Sequence, residues 1–277
     1  MTILAAVEGK HIPSRIVALG HTLAVEFDEP LVVLHVGTES QTEDDAKFIA
    51  EDIAINTVGN SDRVEIRGRT GDPDEEILAE AEQTDPRYVL TGGRRRSAVG
   101  KAVFGSTSQS ILLNSPSPVL AIPRDGVPIE ELHSGPIVAA VDRSDWAKSV
   151  VSEAKTLADA LNCELHVLHV FPTKEWLKLH RDRIESTGTE GVDKSVVQES
   201  AHKIAKSTGR EVTADFTPVG RVGDPSNGIL SYAREVDASY VAVGGRKVTP
   251  IGKVLFGSVT QSVILNLDRP VLTTLYE

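Results

Sequence analysis

A glycine-bounded loop that occurs twice constrains this chain more than any other feature. The first copy runs from Gly92-Gly93 through Arg94-Arg95-Arg96 and Gly100-Lys101 to Phe104-Gly105-Ser106. The second runs from Gly244-Gly245 through Arg246-Lys247 and Gly252-Lys253 to Phe256-Gly257-Ser258. Eight of the 15 positions are identical, and the offset is 152 throughout. Each copy follows an apolar run, residues 88–90 or 240–243, and precedes a helix-like stretch, Ser106–Asn114 or Ser258–Asn266. A strand, a glycine-rich loop and a helix start, in that order, suit a phosphate. Glycine lets the backbone come close, and the amides of the helix's first turn point at the anion.

The duplication extends beyond the loop. Apolar runs at 2–7, 31–36, 64–69, 88–91 and 118–122 predict strands, and the patterns at 11–27, 43–58, 73–82 and 106–114 predict helices. Strands alternating with helices imply βαβ units and a mostly parallel sheet. The pattern then restarts. Residues 137–141 end at Asp142 as residues 2–7 end at Glu8, and 165–170 repeats 31–36, both at offset 134. Gly220–Pro225 repeats Gly68–Pro73 at offset 152, and 13 of 26 positions match between 68–93 and 220–245. The second copy therefore holds 18 extra residues between Val170 and Gly220. They are expected in 171–191, a charged stretch containing Trp176, as a longer loop or an added helix. The expected division is a first domain over 1–124, a linker over 125–135 and a second domain over 136–277. Units of this size are a domain duplication; solenoid repeats run to only ~20–50 residues.

Composition removes several classes. The net charge of −11 argues against a nucleic-acid surface, which is normally basic. Cys163 is the only cysteine, so an intrachain disulfide and a cysteine metal cluster are excluded. The first residues carry no basic region and reach Glu8 at once, so no signal peptide is expected. No apolar run approaches the roughly 20 residues of a membrane span, which makes the cytoplasm the default location and a membrane partner unexpected.

The loop is not a kinase-type P-loop. Six residues, where that motif has four, separate Gly93 from Gly100, and Ala102 replaces the magnesium-binding hydroxyl after Lys101. The second copy has the same six and places Val254 after Lys253. The dinucleotide fingerprint after the first strand is missing as well. No nucleophile elbow surrounds Ser106, so Ser106 and Ser258 are read as helix N-caps that donate to phosphate. His35 and His169, closing the second strands, are read as packed or hydrogen-bonded. His166 and His169 point to opposite faces of one strand and cannot readily share a metal, so none is expected. Asp72 and Asp224 read as helix caps and Cys163 as inert packing. Trp146 and Trp176 could each touch a base, and Trp146, at the start of the helix after Asp142, could equally pack on the sheet.

With these motifs in view, the sequence resembles a universal stress protein in its tandem, two-domain form, over nearly the whole chain. That family's nucleotide motif is G-x-x-G, nine residues, then G-[ST]. Gly92, the nine residues 96–104 and Gly105-Ser106 fit it, as do Gly244, the nine residues 248–256 and Gly257-Ser258. The second glycine of the motif is Arg95 in one copy and Lys247 in the other.

The resemblance implies an α/β fold of two Rossmann-like domains of the adenine nucleotide alpha hydrolase type. Each is a five-stranded parallel sheet of order 3-2-1-4-5 flanked by helices, and the two pair through their last strands as an intramolecular pseudo-dimer. It implies ATP or AMP as ligand, with or without Mg2+. Asp142 would hold the nucleoside and Val170 the adenine through its backbone. Gly244, Gly257, Ser258 and Val259 would hold phosphates, and Lys247 would neutralise charge. The first-copy counterparts are Glu8, Val36, Gly92, Arg95, Gly105, Ser106 and Thr107. Glu8 is one methylene longer than the family's aspartate, and Arg95 and Lys247 put side chains where phosphate would meet backbone.

The favoured function is a nucleotide-linked stress regulator. No base is placed to attack with water and no carboxylate by the loop would hold magnesium, so turnover is not implied. The rivals are a nucleotide-free scaffold recruiting a protein partner and a slow ATP hydrolase. Homodimerisation of the whole chain stays open.

Overall fold

The computed structural model describes residues 1–7, 13–92, 95–96, 102–103, 105–132, 134–187, 191–246 and 257–276. In the first half the chain runs β1 (Ile3–Val7), α1 (Pro13–Glu26), β2 (Leu31–Gly37), α2 (Glu43–Val58), β3 (Val64–Thr70), α3 (Pro73–Thr84) and β4 (Tyr88–Gly92). The short strands β5 (Arg95–Arg96) and β6 (Ala102–Val103) follow, then α4 (Ser106–Asn114) and β7 (Val119–Ile122). The second half runs β8 (Ile137–Val141), α5 (Ala147–Leu161), β9 (Leu165–Pro172), α6 (Thr173–Thr187), α7 (Lys194–Arg210), β10 (Thr217–Gly223), α8 (Pro225–Glu235), β11 (Tyr240–Arg246), α9 (Ser258–Asn266) and β12 (Val271–Tyr276).

Ten strands form one sheet in the order β10-β9-β8-β11-β12-β7-β4-β1-β2-β3. Each half is a parallel five-stranded sheet of order 3-2-1-4-5. The halves join where β12 meets β7 antiparallel, with Leu272 opposite Leu120. Continuous apolar strands such as β1 and β7 are buried throughout, as a sheet covered on both faces requires. One face is covered by α1, α2, α5 and α7. The buried cluster there runs from Leu19 and Leu120 to Ile137 and Leu272, so the halves share one core. Thr273 Oγ1 donates to the Val119 carbonyl at 3.1 Å inside the β7–β12 seam.

Local chemistry sets the helices. Thr42 caps α2 in a reciprocal capping box with Asp45, and three acids occupy the first turn. Ala46, Ala50 and Ala54 recur every four residues on its buried face, and α7 repeats this with Ala201, Ala205 and Gly209. These small residues let both helices lie close to the edge strands. A Cβ on Gly68 would stand 2.3 Å from the Glu43 carbonyl oxygen, and one on Gly220 would stand 2.6 Å from that of Gln198. The glycines thus match Glu43 with Gln198 and Lys47 with His202, an offset of 155 for these helices.

The 18 extra residues do add a helix, α6, which leaves the end of β9 directly. Trp176 Nε1 donates to the Val192 carbonyl at 2.9 Å and His180 Nδ1 to the same oxygen at 3.0 Å, fastening α6 to the segment that leads into α7. The sequence reading ends the strand at Val170, but β9 continues to Pro172 because Val222 and Gly223 of β10 still pair with it.

Candidate functional site

A cleft of about 730 Å³ opens beyond the carboxyl ends of β8, β9 and β11. This is the crevice where open α/β sheets bind ligands. It is bordered by Asp142, Val170, Gly244, Gly257, Ser258 and Val259, six of the residues that the sequence singles out.

Asp142 follows β8. Its Oδ1 accepts from the Ser144 amide at 2.9 Å and from the Ser144 hydroxyl, which closes a tight turn and fixes the carboxylate at the cleft edge. Oδ2 has no partner among the described residues. Beside it, His169 Nδ1 donates to the Val141 carbonyl at 2.8 Å. Since a carbonyl only accepts, the proton is on Nδ1 and the lone pair on Nε2. His169 is 4% exposed, and burial holds its pKa below the ordinary value, so the ring is neutral. Val170 is buried next to it. A Cβ on Gly228 would meet Val170 Cγ1 at 2.8 Å, so glycine at that point of α8 lets the helix close over the valine.

The floor of the anion end is the first turn of α9. Its N-cap is Gly257, with extended backbone and no side-chain cap bond. The first helix-closing bond is from Gln261 N to the Gly257 carbonyl at 3.0 Å, so the amides of Ser258, Val259 and Thr260 have no intrahelical acceptor. Among the described residues, a Cβ on Gly257 would find nothing within 4 Å. No described side chain therefore fills the space at this cap, beside the free amides of the turn. Thr260, almost fully buried, donates from Oγ1 to the Gly244 carbonyl at 2.8 Å and ties the turn to the end of β11.

This corrects the reading of Ser106 and Ser258 as N-caps. Gly105 and Gly257 occupy the caps, and each serine is the first helical residue. Their hydroxyls do not compete for the helix amides, which leaves those amides to a ligand. Asp224 caps α8 by accepting from Asn227 N at 3.0 Å, whereas Asp72 holds the cap position of α3 without a side-chain bond to the helix amides.

In the first half, Val36 is the penultimate residue of β2, Gly92 ends β4, and Gly105, Ser106 and Thr107 open α4 in the same arrangement. His35 Nδ1 donates to the Val7 carbonyl at 2.9 Å, as His169 does to Val141. Arg95 lies on β5, paired with Val103 of β6, so part of the first loop is a hairpin. Glu8 and Lys247 lie outside the described residues, as do Arg94 and Lys101.

Trp146 caps α5 and borders the cleft. Trp176 is engaged with Val192 and is not among the lining residues. His166 bonds Tyr232 at 2.9 Å on the opposite face of β9 from His169. Among the described residues no group of histidine, cysteine and carboxylate side chains could hold a metal ion. Burial pushes the Cys163 thiol upward, away from reactivity.

Sequence reasoning missed one pair. Arg143 and Glu175, both at the cleft, lie 3.4 Å apart, and the Arg143 guanidinium stacks 4.9 Å over the Phe171 ring. The second charge comes from α6, which has no counterpart in the first half, so the repeat could not reveal it.

Comparison with known proteins agrees with this arrangement. The sequence pattern of the universal stress protein family matches residues 1–123 and 134–274. A universal stress protein of Mycobacterium tuberculosis is 25% identical over 202 residues, 71% of this chain and 63% of that protein, so the chain spans less than two thirds of that relative's length. A crystal structure of a universal stress protein from Archaeoglobus fulgidus superposes with a TM-score of 0.68 at 22% identity, covering 98% of this chain and 97% of the other. A functionally unknown protein of Pseudomonas aeruginosa superposes at 0.71 and 18% identity, covering 99% and 92%. Among the described residues no helix is long and apolar enough to cross a membrane. With its family pattern present twice along nearly its full length, the chain belongs to the universal stress protein family.

Proposed function

We propose that the chain is a nucleotide-linked regulator in the stress response, and that the cleft of its second half takes an adenine nucleotide, ATP or AMP. One observation carries this reading: the first turn of α9 presents amides without intrahelical acceptors, next to a glycine cap whose Cβ would meet nothing within 4 Å among the described residues. Phosphates would lie there, with Lys247 supplying charge. The Oδ2 of Asp142, without a partner among the described residues, would accept from a ribose hydroxyl or an adenine amine, and the Val170 backbone would meet the base. Isothermal titration of the full chain with ATP and AMP tests this. Binding that falls at least tenfold in Asp142→Ala supports it; no heat at millimolar nucleotide, or heat unchanged in Asp142→Ala, overturns it.

A second reading concerns the first half, which we take as support without a nucleotide. Arg95 occupies a hairpin where the family motif has glycine. A stoichiometry of one nucleotide per chain agrees with this, and two would contradict it.

A further inference from the structure

The duplication supplies an internal control for surface residues on the elements that both halves share. The glycine contacts that match α2 with α7 at offset 155 also match Phe48 with Lys203, Glu51 with Lys206 and Ile55 with Arg210. The buried faces of the two helices are alike, and their outward faces differ in chemistry. Phe48 is 70% exposed and Ile55 47%; spaced seven apart, they share one face of α2 with Asp44, Glu51 and Asp52. Exposed apolar residues scattered singly are ordinary. These two form a stripe that the fold does not require, because the other half folds with charged side chains at both places. Helix α2 carries five acids and one lysine, and α7 carries four bases and one acid.

The two helices cannot meet within one chain. Both cover the same face of the sheet, α2 over β3 at one edge and α7 over β10 at the other, nine strand spacings or roughly 43 Å apart. We propose that they meet between chains. The acidic, apolar-striped face of α2 in one copy docks on the basic face of α7 in the next. The aliphatic stems of Lys203, Lys206 and Arg210 would cover Phe48 and Ile55, and their charged ends would reach Asp44, Glu51 and Asp52. Lys203 already pairs with Glu199 at 2.7 Å, but both side chains are exposed, so this bond exchanges at little cost. The two faces lie at opposite ends, so the contact is heterologous and strings copies head to tail without closing a pair. Two helices of 16 and 17 residues, each about 25 Å long, make a small interface, so association is weak and sensitive to salt. Like charge disfavours a two-fold pairing of α2 with α2 or of α7 with α7. The proposal does not depend on nucleotide binding.

A charge swap tests it by sedimentation of the full chain at high concentration. Wild type should associate at low ionic strength and dissociate at least tenfold more readily at 0.5 M salt, on the order expected for screened surface charges. The triple variant Asp44→Lys, Glu51→Lys, Asp52→Lys should be monomeric, and so should Lys203→Glu, Lys206→Glu, Arg210→Glu. Mixing the two variants should restore association, because each then supplies the face that the other needs. Phe48→Ser with Ile55→Ser should weaken wild-type association at least tenfold while the melting temperature holds. A wild type that stays monomeric at low salt overturns the proposal. So does self-association that survives in both triple variants, and so does a mixture of folded variants that stays monomeric.

Discussion

Thr260 Oγ1 donates to the Gly244 carbonyl oxygen, fastening the first turn of α9 to the end of β11. The two parts of the anion cradle are thereby held at a fixed spacing by one buried bond. Thr260→Val keeps the shape and removes the donor. We expect a loss of about 1 kcal/mol of folding stability, the ordinary worth of such a bond. We also expect nucleotide affinity to fall more than the stability loss alone explains. Urea unfolding and calorimetry on the same variant measure the two effects separately. Full affinity in a folded Thr260→Val protein would remove the bond from the site's construction.

Gly68 touches the backbone of α2 where a Cβ would stand 2.3 Å from the Glu43 carbonyl oxygen. No flexible side chain is there to give way. Gly68→Ala should therefore cost about 1–3 kcal/mol by forcing α2 off β3. Denaturant titration checks this. A neutral result would mean that α2 can shift freely.

His169 sets a pH dependence. Its folded pKa lies below the unfolded value of 6.5 because burial penalises the imidazolium. Between those two values the unfolded chain binds the additional proton, so stability rises with pH through that window and falls as pH drops below about 6.5. His169→Asn retains a donor for the Val141 carbonyl and does not titrate. The variant should lose the part of the slope between the folded value and 6.5. Chemical unfolding at a series of pH values, wild type against variant, reads it directly; parallel curves would rule it out.

Glu175 reaches from α6 to Arg143 at the cleft border. Both side chains are about half exposed, so the pair itself adds little stability. It can nonetheless restrict passage to and from the cleft. Glu175→Gln should speed nucleotide release in stopped flow and leave the melting temperature within a degree or two. An unchanged off-rate would mean that α6 does not govern exit.

The repeat in the sequence determined the larger part of this fold. Strand and helix periodicities separate cleanly in both copies, and the family resemblance set the strand order and the join between last strands. Gly244, Gly257 and Ser258 were legible from the duplicated loop, and Asp142, Val170 and Val259 only through the family resemblance; the structure gathers all six at one cleft. Four features were not legible. Glycine rather than serine caps α4 and α9, a choice decided by where the helical dihedrals begin, and composition does not encode that to one residue. The hairpin β5–β6 depends on backbone pairing across a loop with no apolar alternation to announce it. Arg143 meets Glu175, and the oppositely charged α2 and α7 stand far apart, only because the sheet brings distant segments to one border or sends matched segments to opposite edges. Local pattern specifies which segments become strands and helices; distance between side chains far apart in sequence is set by packing, and the cleft and both end faces are made of such distances.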